Sequence, residues 1–169
     1  VLPIELLWQA GNMYGRVLDR LRGIDVIPDV VIKDFHRLDK YLLNFDKLKK
    51  NDQVSQEIAF VETQRLNLVE EKTEFQVIHG DCKINNLLFD SSLSIARYVV
   101  DLDTIMTGDP IWDFGDLLRS STIGGEESKP TQVDFARLRK VMEGFFSAYR
   151  LKEVNDRIIL AYAHAPAYM

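Results

Sequence analysis

The chain up to residue 74 has its apolar side chains at the spacing of amphipathic helices. Between residues 2 and 22 they recur every three or four positions, and Gly23 is a typical stop signal. The same spacing predicts a second helix over residues 37–50 and a third over residues 55–72. This part of the chain is therefore expected to be helical.

The pattern changes at Phe75, where short apolar runs replace the helical spacing. Residues 76–78, 87–89 and 98–100 are such runs, and turn residues at 90–92 separate the last two. Short apolar runs bounded by turn residues are typical of strands. We therefore predict three small strands arranged around a loop.

Helical spacing returns after this insert. Asp109 and Pro110 are a strong helix start, with aspartate at the N-cap and proline at the first helical position. A further helix is predicted over residues 131–150, and a last one from near Val154. The fold class is therefore α+β, a mostly helical lobe with a small strand-and-loop insert that holds most of the polar residues. In the helix over 131–150 the side chains expected to face the core are Phe135, Leu138, Val141, Met142, Phe145 and Phe146.

Composition narrows the classes of protein. The 169 residues are 46% hydrophobic and 28% charged, which suits one soluble domain or one large lobe. The net charge is −5 and the basic residues are scattered, so neither a nucleic-acid partner nor a membrane partner is indicated. No apolar run approaches the roughly 20 residues of a membrane span. The single cysteine, Cys82, excludes an intrachain disulfide and fits a cytoplasmic location.

Four residues in and after the loop that follows residue 78 have the chemistry of phosphoryl transfer. Asp81 can accept the proton of an attacking hydroxyl, and Asn86, five residues on, can bind a metal ion. Asp101, at the end of the next strand, can supply a second oxygen ligand. Lys83 can offset the charge of the transferred phosphoryl group, and the alternative is a solvated surface lysine.

This pattern resembles the catalytic loop of the aminoglycoside phosphotransferase and choline kinase superfamily, which is distantly related to protein kinases. The family pattern is His-Gly-Asp, four variable residues and Asn, followed later by a metal-binding Asp, as in residues 79–86 and Asp101 here. The resemblance implies ATP and Mg²⁺ as cofactors, Asp81 as the base, and Asn86 and Asp101 as the ligands of the metal and nucleotide. Asp103 is expected to be a second metal ligand, a substrate contact or an ion-pair partner.

The same resemblance covers residues 77–120. Gly108-Asp109-Pro110 with Asp113 resembles the helix start of the family, and residues 83–90 with 101–104 are most similar to N-acetylhexosamine 1-kinases. The implied function is transfer of the γ-phosphoryl group of ATP to a hydroxyl of a small metabolite, with such a sugar as the first expectation. The alternatives are an aminoglycoside, choline or homoserine kinase and, in another class, a non-catalytic kinase-like binding module. Aminoglycosides and choline are cationic and need an acidic acceptor pocket.

Kinases of this family place a five-stranded nucleotide lobe before the helical lobe. No glycine-rich loop precedes residue 75, and Gly11 and Gly15 lie in a helical pattern. Residues 1–169 are therefore expected to be the helix-rich C-terminal lobe of a protein-kinase-like fold, a fragment without its N-terminal nucleotide lobe. That missing lobe of the same protein is the expected partner, and the fragment alone is expected to be inactive.

Structural roles are expected for several polar residues of this region. His79 is interpreted as a hydrogen-bonding brace of the loop, and Cys82 as an inert small residue. Asp109 and Asp113 are expected to be a helix cap and a loop brace. For Arg119 two roles stay open, a contact to an anionic or sugar group and a surface ion pair at the helix end.

Overall fold

A computed structural model describes residues 2–25, 31–47, 52–65, 75–92, 94–122 and 134–150. The helices of these residues are α1 (Ile4–Leu21), α2 (Leu38–Lys47), α3 (Ser55–Arg65), α4 (Pro110–Thr122) and α5 (Phe135–Ala148). The strands are β1 (Gln76–Ile78), β2 (Leu87–Phe89), β3 (Ala96–Val99) and β4 (Met106–Gly108). Three short 3₁₀ turns lie at Asp52–Val54, Ile84–Asn86 and Leu102–Thr104. None of the described helices has the length and apolar character needed to cross a membrane.

The strands differ from the prediction in two places. β3 begins at Ala96 and ends at Val99, where the apolar run suggested 98–100. β4 was not predicted, because three residues that end in a glycine carry no strand pattern of their own. The helix predicted from near Val154 lies outside the described residues, as do residues 48–50, 66–72 and 131–133 of three other predicted helices.

Helices α1 and α5 pack against each other at very close range. A Cβ atom at Gly11 of α1 would collide with the carbonyl oxygen of Val141, and one at Gly144 of α5 would collide with the carbonyl oxygen of Trp8. Larger side chains at these positions would force the two backbones apart. Gly11 therefore serves helix packing, which agrees with its place in a helical pattern.

The buried side of α5 differs from the predicted one at both ends of the helix. Phe145 and Val141 are fully buried, as expected, whereas Phe135 is 76% exposed and Phe146 is 38% exposed. The buried stripe of this helix runs through Arg137, Val141, Gly144 and Phe145. Phe135 lies off that stripe, so the spacing of aromatic residues alone placed it wrongly.

Helix α4 lies in the centre of the lobe. Its apolar residues Ile111, Phe114, Leu117 and Leu118 are fully buried. Asp113 and Asp116 on the same helix are also buried, at 1% and 4% exposure. Buried carboxylates need hydrogen-bond partners. Those of Asp113 lie in the loop that follows β1, and that of Asp116 is Arg119 of the same helix.

Two antiparallel strand pairs frame that loop. β1 pairs with β4, and β2 pairs with β3. Residues 79–86 connect β1 to β2, and residues 100–105 connect β3 to β4. The two connections therefore lie side by side, since each joins one strand pair to the other.

Candidate active site

Helix α4 holds the loop after β1 in place through hydrogen bonds. The carboxylate of Asp113 accepts the backbone N–H of His79 on Oδ2 at 2.7 Å and that of Gly80 on Oδ1 at 2.8 Å. Burial raises the pKa of Asp113, and the hydrogen bonds from the two backbone N–H groups oppose this rise. Asp109 Oδ1 accepts the N–H of Ile111 at 2.9 Å. The structure thus confirms the expected roles of loop brace for Asp113 and helix cap for Asp109.

His79 ties the loop to the neighbouring connection. Its Nδ1 accepts the backbone N–H of Asp81 at 3.2 Å, so the ring hydrogen lies on Nε2, which donates to the carbonyl oxygen of Val100 at 3.1 Å. Thr104 Oγ1 donates to the carbonyl oxygen of His79 at 2.8 Å. The ring is fully buried, which confirms the interpretation of His79 as a brace.

Lys83 and Asn86 both bind one oxygen atom of the Asp81 carboxylate, Oδ2. Lys83 Nζ lies 2.6 Å from Asp81 Oδ2, and Asn86 Nδ2 donates to the same oxygen at 3.0 Å and to the carbonyl oxygen of Asp81 at 2.9 Å. The hydrogen bond with Asp81 raises the pKa of Lys83. Within the described residues Asp81 Oδ1 has no hydrogen bond, so this oxygen is open to a ligand hydroxyl.

The β2–β3 hairpin brings Asp101 close to Asn86. Leu87 pairs with Val99, and the N–H of Val100 donates to the carbonyl oxygen of Asn86 at 3.0 Å. Asn86 and Asp101 therefore lie at the open end of one hairpin. The negative charge of Asp101 also contributes to the raised pKa of Lys83.

Asp101 has an unusual backbone. Its φ of 64° and ψ of 60° lie in the left-handed region, which non-glycine residues adopt at a cost of about 1–3 kcal/mol. Such strain is concentrated at functional sites in proteins. The conformation turns the chain sharply between β3 and the 3₁₀ turn at Leu102–Thr104, and it leaves the Asp101 side chain exposed.

The donor set at the hairpin end fits a Mg²⁺ ion held together with a phosphate. Asn86 Nδ2 is bound to Asp81, so its amide oxygen is left as the metal-binding atom, and Asp101 adds a carboxylate. Mg²⁺ usually takes only one or two protein carboxylates, with phosphate and water oxygens completing its six ligands. No group of three or more His, Cys, Asp or Glu side chains suited to a metal ion occurs in the described part of the chain.

Asp103 and Arg119 differ in what the structure shows of them. Asp103 is exposed in the 3₁₀ turn, and no ion pair involves it among the described residues. Arg119 donates to Asp116 Oδ1 from Nε at 3.1 Å and from Nη2 at 2.9 Å. Arg119 is therefore an ion-pair partner, as expected, but the pair is largely buried, at 16% and 4% side-chain exposure, and not at the surface. Cys82 is fully buried, and burial raises its pKa well above the usual range.

Three residues that support the loop were not foreseen from the sequence. The hydroxyl of Tyr14 donates to the carbonyl oxygen of Lys83 at 2.8 Å, and Ser120 Oγ accepts the N–H of Ile84 at 3.0 Å. His36 Nε2 lies 2.9 Å from the carbonyl oxygen of Gly80. All three act across long sequence separations, and no local pattern marks them.

Comparison with known proteins places this geometry in context. Residues 3–145 match the model of a family described as the phosphotransferase enzyme family. A choline/ethanolamine kinase family protein from Mesorhizobium loti is similar in structure, with a TM-score of 0.59, 16% identity, and coverage of 96% of this chain and 50% of that chain. An aminoglycoside-3'-phosphotransferase of type VIII has a TM-score of 0.56 at 14% identity, with 99% and 63% covered.

A third similar structure is the amicoumacin kinase hAmiN in complex with AMP-PNP and Ca²⁺. Its TM-score is 0.53 at 16% identity, and 99% of this chain and 52% of that chain are covered. The chain therefore spans between 50% and 63% of the length of these three proteins. At such identities the likeness establishes the kinase-like fold, in which helices combine with small sheets.

Proposed function

Because the chain belongs to the phosphotransferase enzyme family, we propose that it forms the catalytic part of an ATP-dependent kinase with a small-molecule acceptor. One observation carries this proposal. The Asp81 carboxylate is held through a single oxygen by Lys83 and Asn86, and its second oxygen is open. A fixed carboxylate with one open oxygen beside a cation is what deprotonation of a hydroxyl next to a phosphate requires.

Each residue of the site has a separate role in the proposed reaction. Asp81 Oδ1 accepts a hydrogen bond from the acceptor hydroxyl, orients it and takes its proton. Lys83 Nζ lies 2.6 Å from Asp81 Oδ2. Its positive charge offsets the repulsion between that carboxylate and the negatively charged phosphoryl group. Asn86 and Asp101 would hold Mg²⁺, and the ion would supply positive charge that offsets the charge of the phosphates. Asp103 is a further candidate ligand, in the middle of the adjacent 3₁₀ turn.

The exposed face of the β2–β3 hairpin suits the base of the nucleotide. Leu88 and Tyr98 lie directly opposite each other in the two strands, and they are 47% and 67% exposed. The same hairpin carries Asn86 and Asp101 at its open end. A nucleotide whose phosphates meet these two residues can lay the flat face of its base over Leu88 and Tyr98.

The acceptor we propose is a sugar such as an N-acetylhexosamine. The support is the similarity of residues 83–90 and 101–104 to kinases of that specificity. Choline, aminoglycosides and homoserine are the competing acceptors. A panel of these four acceptors with Mg-ATP, each assayed for ADP release, separates them by their kcat/KM values.

The experiment that tests the function compares Asp81→Asn with the wild type at the full length of the reading frame. Loss of a general base lowers rates by about 10²–10⁴-fold, so kcat should drop at least about 100-fold while the Kd for Mg-ATP changes little. Asp19→Asn is the matched control, because Asp19 is 55% exposed and pairs only loosely with Arg22, at 3.5 Å. Near-normal turnover of Asp81→Asn would exclude Asp81 as the base.

A further inference from the structure

One peptide group of the catalytic loop, between Lys83 and Ile84, is bound by two different helices. Its carbonyl oxygen accepts a hydrogen bond from the hydroxyl of Tyr14 on α1 at 2.8 Å. Its N–H donates to Ser120 Oγ on α4 at 3.0 Å. Both polar atoms of this peptide group are therefore bound by side chains from outside the loop.

The directions of these two hydrogen bonds are fixed. A carbonyl oxygen can only accept, so Tyr14 must donate, and burial raises the pKa of Tyr14 and keeps its hydroxyl protonated. The hydroxyl hydrogen of Ser120 is used within α4, where Oγ donates to the carbonyl oxygen of Asp116 at 2.9 Å. The oxygen of Ser120 is thus left to accept the N–H of Ile84. Neither hydrogen bond depends on a hydroxyl that ionises near neutral pH.

The two helices are firm supports for these side chains. Tyr14 is fully buried, and α1 is packed so closely on α5 that a Cβ at Gly11 would collide with the carbonyl oxygen of Val141. On α4, Leu117 and Leu118 near Ser120 are fully buried. Close-packed side chains have little room to move, so the two hydroxyls stay in place and the peptide group stays with them.

The backbone of Lys83 is consequently fixed on both sides of its Cα. Its N–H donates to the carbonyl oxygen of Asp81 at 2.8 Å. Its carbonyl oxygen accepts the N–H of Asn86 at 3.0 Å in addition to the hydroxyl of Tyr14. With both neighbouring peptide planes held, φ and ψ of Lys83 keep their values of −92° and 155°. The direction of its Cα–Cβ bond is then set as well.

This direction matters because the lysine side chain is long and flexible. Lys83 Nζ lies 2.6 Å from Asp81 Oδ2, and the side chain is 34% exposed. Besides Asp81, the charges of Asp101 and Asp116 also raise the pKa of Lys83, so they attract the same ammonium group. A shift of the Lys83 backbone would let Nζ leave Asp81 for one of these carboxylates or for water.

We propose that Tyr14 and Ser120 are positioning residues of the kinase reaction. They fix the peptide group between Lys83 and Ile84, and they thereby keep the ammonium group of Lys83 beside Asp81. Both act through Lys83 and need no contact with a substrate. The catalytic part of this role rests on the proposed function, whereas the position of Lys83 can be measured without turnover.

The rate at which Lys83 is acylated provides that measurement. An ammonium group bound to Asp81 cannot react until the ion pair opens, so the rate shows how firmly Lys83 is held. The protein at the full length of the reading frame is treated with a limiting amount of an N-hydroxysuccinimide ester of acetic acid. Mass spectrometry of the digested protein then quantifies each acetylated lysine. Lys140 on α5, with a side chain that is 50% exposed, is the internal standard.

The two test variants are Tyr14→Phe and Ser120→Ala, each of which removes one hydrogen bond to the peptide group. One hydrogen bond corresponds to a factor of about 3 to 10 in an equilibrium. The acylation rate of Lys83, relative to that of Lys140, should therefore rise about 3- to 10-fold in each variant. In the kinase assay kcat should fall by a similar factor, with the KM values for ATP and acceptor nearly unchanged.

The matched controls are Tyr149→Phe and Ser121→Ala. The hydroxyl of Tyr149 donates to Gln76 Oε1 at 2.7 Å, and that of Ser121 donates to the carbonyl oxygen of Leu117 in its own helix. Each control loses one hydrogen bond of a buried residue that does not reach the catalytic loop. It should lose stability as the test variants do, while the acylation rate of Lys83 and kcat stay at the wild-type values.

A double variant shows whether the effect passes through Lys83. If it does, adding Tyr14→Phe to Lys83→Ala should change kcat by less than about 2-fold, because the positioned group is already absent. A further loss as large as that of Tyr14→Phe alone would overturn the inference, since the hydroxyl would then support the loop in general.

The outcomes also separate this inference from the proposed function. Faster acylation of Lys83 in both test variants, with no phosphorylated product from the wild type, would support the positioning of Lys83 and remove the kinase activity. An active wild type with unchanged acylation and kcat in both test variants would keep the kinase and overturn the inference. A drop of kcat in the two controls equal to that in the test variants would overturn it too, because lost stability alone would explain the result.

Discussion

The hydrogen bonds between Asp113 and the catalytic loop lead to a prediction that does not depend on the identity of the substrate. We consider Asp113→Asn, which keeps the size of the side chain. The carboxylate accepts two buried backbone N–H groups, at 2.7 and 2.8 Å. An asparagine side chain has one acceptor oxygen, so it can serve only one of them, and its NH₂ group then faces the other N–H.

The loss can be worked out from these two hydrogen bonds. One buried N–H left without an acceptor costs about 1–3 kcal/mol, and the other changes from a charged to a neutral acceptor, about 1 kcal/mol weaker. Burial raises the pKa of Asp113, which means that the buried charge itself is unfavourable, and its removal returns part of this loss. The net destabilisation is therefore smaller than the sum of the two losses, about 1–3 kcal/mol. For a domain of this size it corresponds to a fall in Tm of about 2–12 °C.

Urea unfolding at neutral pH, followed by circular dichroism, measures the effect directly. The m-value should stay constant, since the same surface is exposed on unfolding. Asp19→Asn is the control and should change the free energy of unfolding by less than about 0.5 kcal/mol, as exposed ion pairs contribute little. If Asp113→Asn were as stable as Asp19→Asn, the two backbone hydrogen bonds could not be what holds the loop.

The remaining predictions concern the metal site and the cysteine. Asp101→Ala should weaken the Mg²⁺ dependence and ATP binding together, whereas Lys83→Ala should lower kcat and keep the Mg²⁺ requirement. Activity titrated against Mg²⁺ checks both, and identical metal profiles in wild type and Asp101→Ala would remove Asp101 as a ligand. Cys82 should resist a disulfide-exchange reagent at pH 8 in the folded protein, because burial raises its thiol pKa, and should react after unfolding in guanidinium. Fast reaction of Cys82 in the folded state would contradict its burial.

The features that the sequence predicts well depend on residues that lie close together along the chain. Helices α1, α2, α4 and α5 follow from apolar residues three and four positions apart. Asp81, Lys83 and Asn86 lie within six positions of one another, so a single loop brings them together. The short strand β4 was missed because it exists through its pairing with β1, and nothing in its own three residues indicates a strand.

The supports of the catalytic loop escape sequence reasoning for a related reason. Tyr14 and Ser120 bind the backbone of residues 83 and 84 from 69 and 36 positions away. A hydrogen bond to a backbone atom leaves no mark on the residue that supplies the atom, since every residue has the same carbonyl and N–H. Such contacts can be recognised only after the helices have been packed against the loop.

His36 is the clearest case, because it lies 44 positions from the backbone oxygen that it binds. Its backbone has a φ of 57°, an uncommon value for a residue with a side chain, and its ring is buried against Phe35. That conformation directs the ring toward the carbonyl oxygen of Gly80, while His79 holds the N–H of Asp81 from the other side. The peptide before the proposed base is thus fixed by two histidines, 43 positions apart in sequence. A displacement of His36 would therefore shift the peptide that precedes the proposed base.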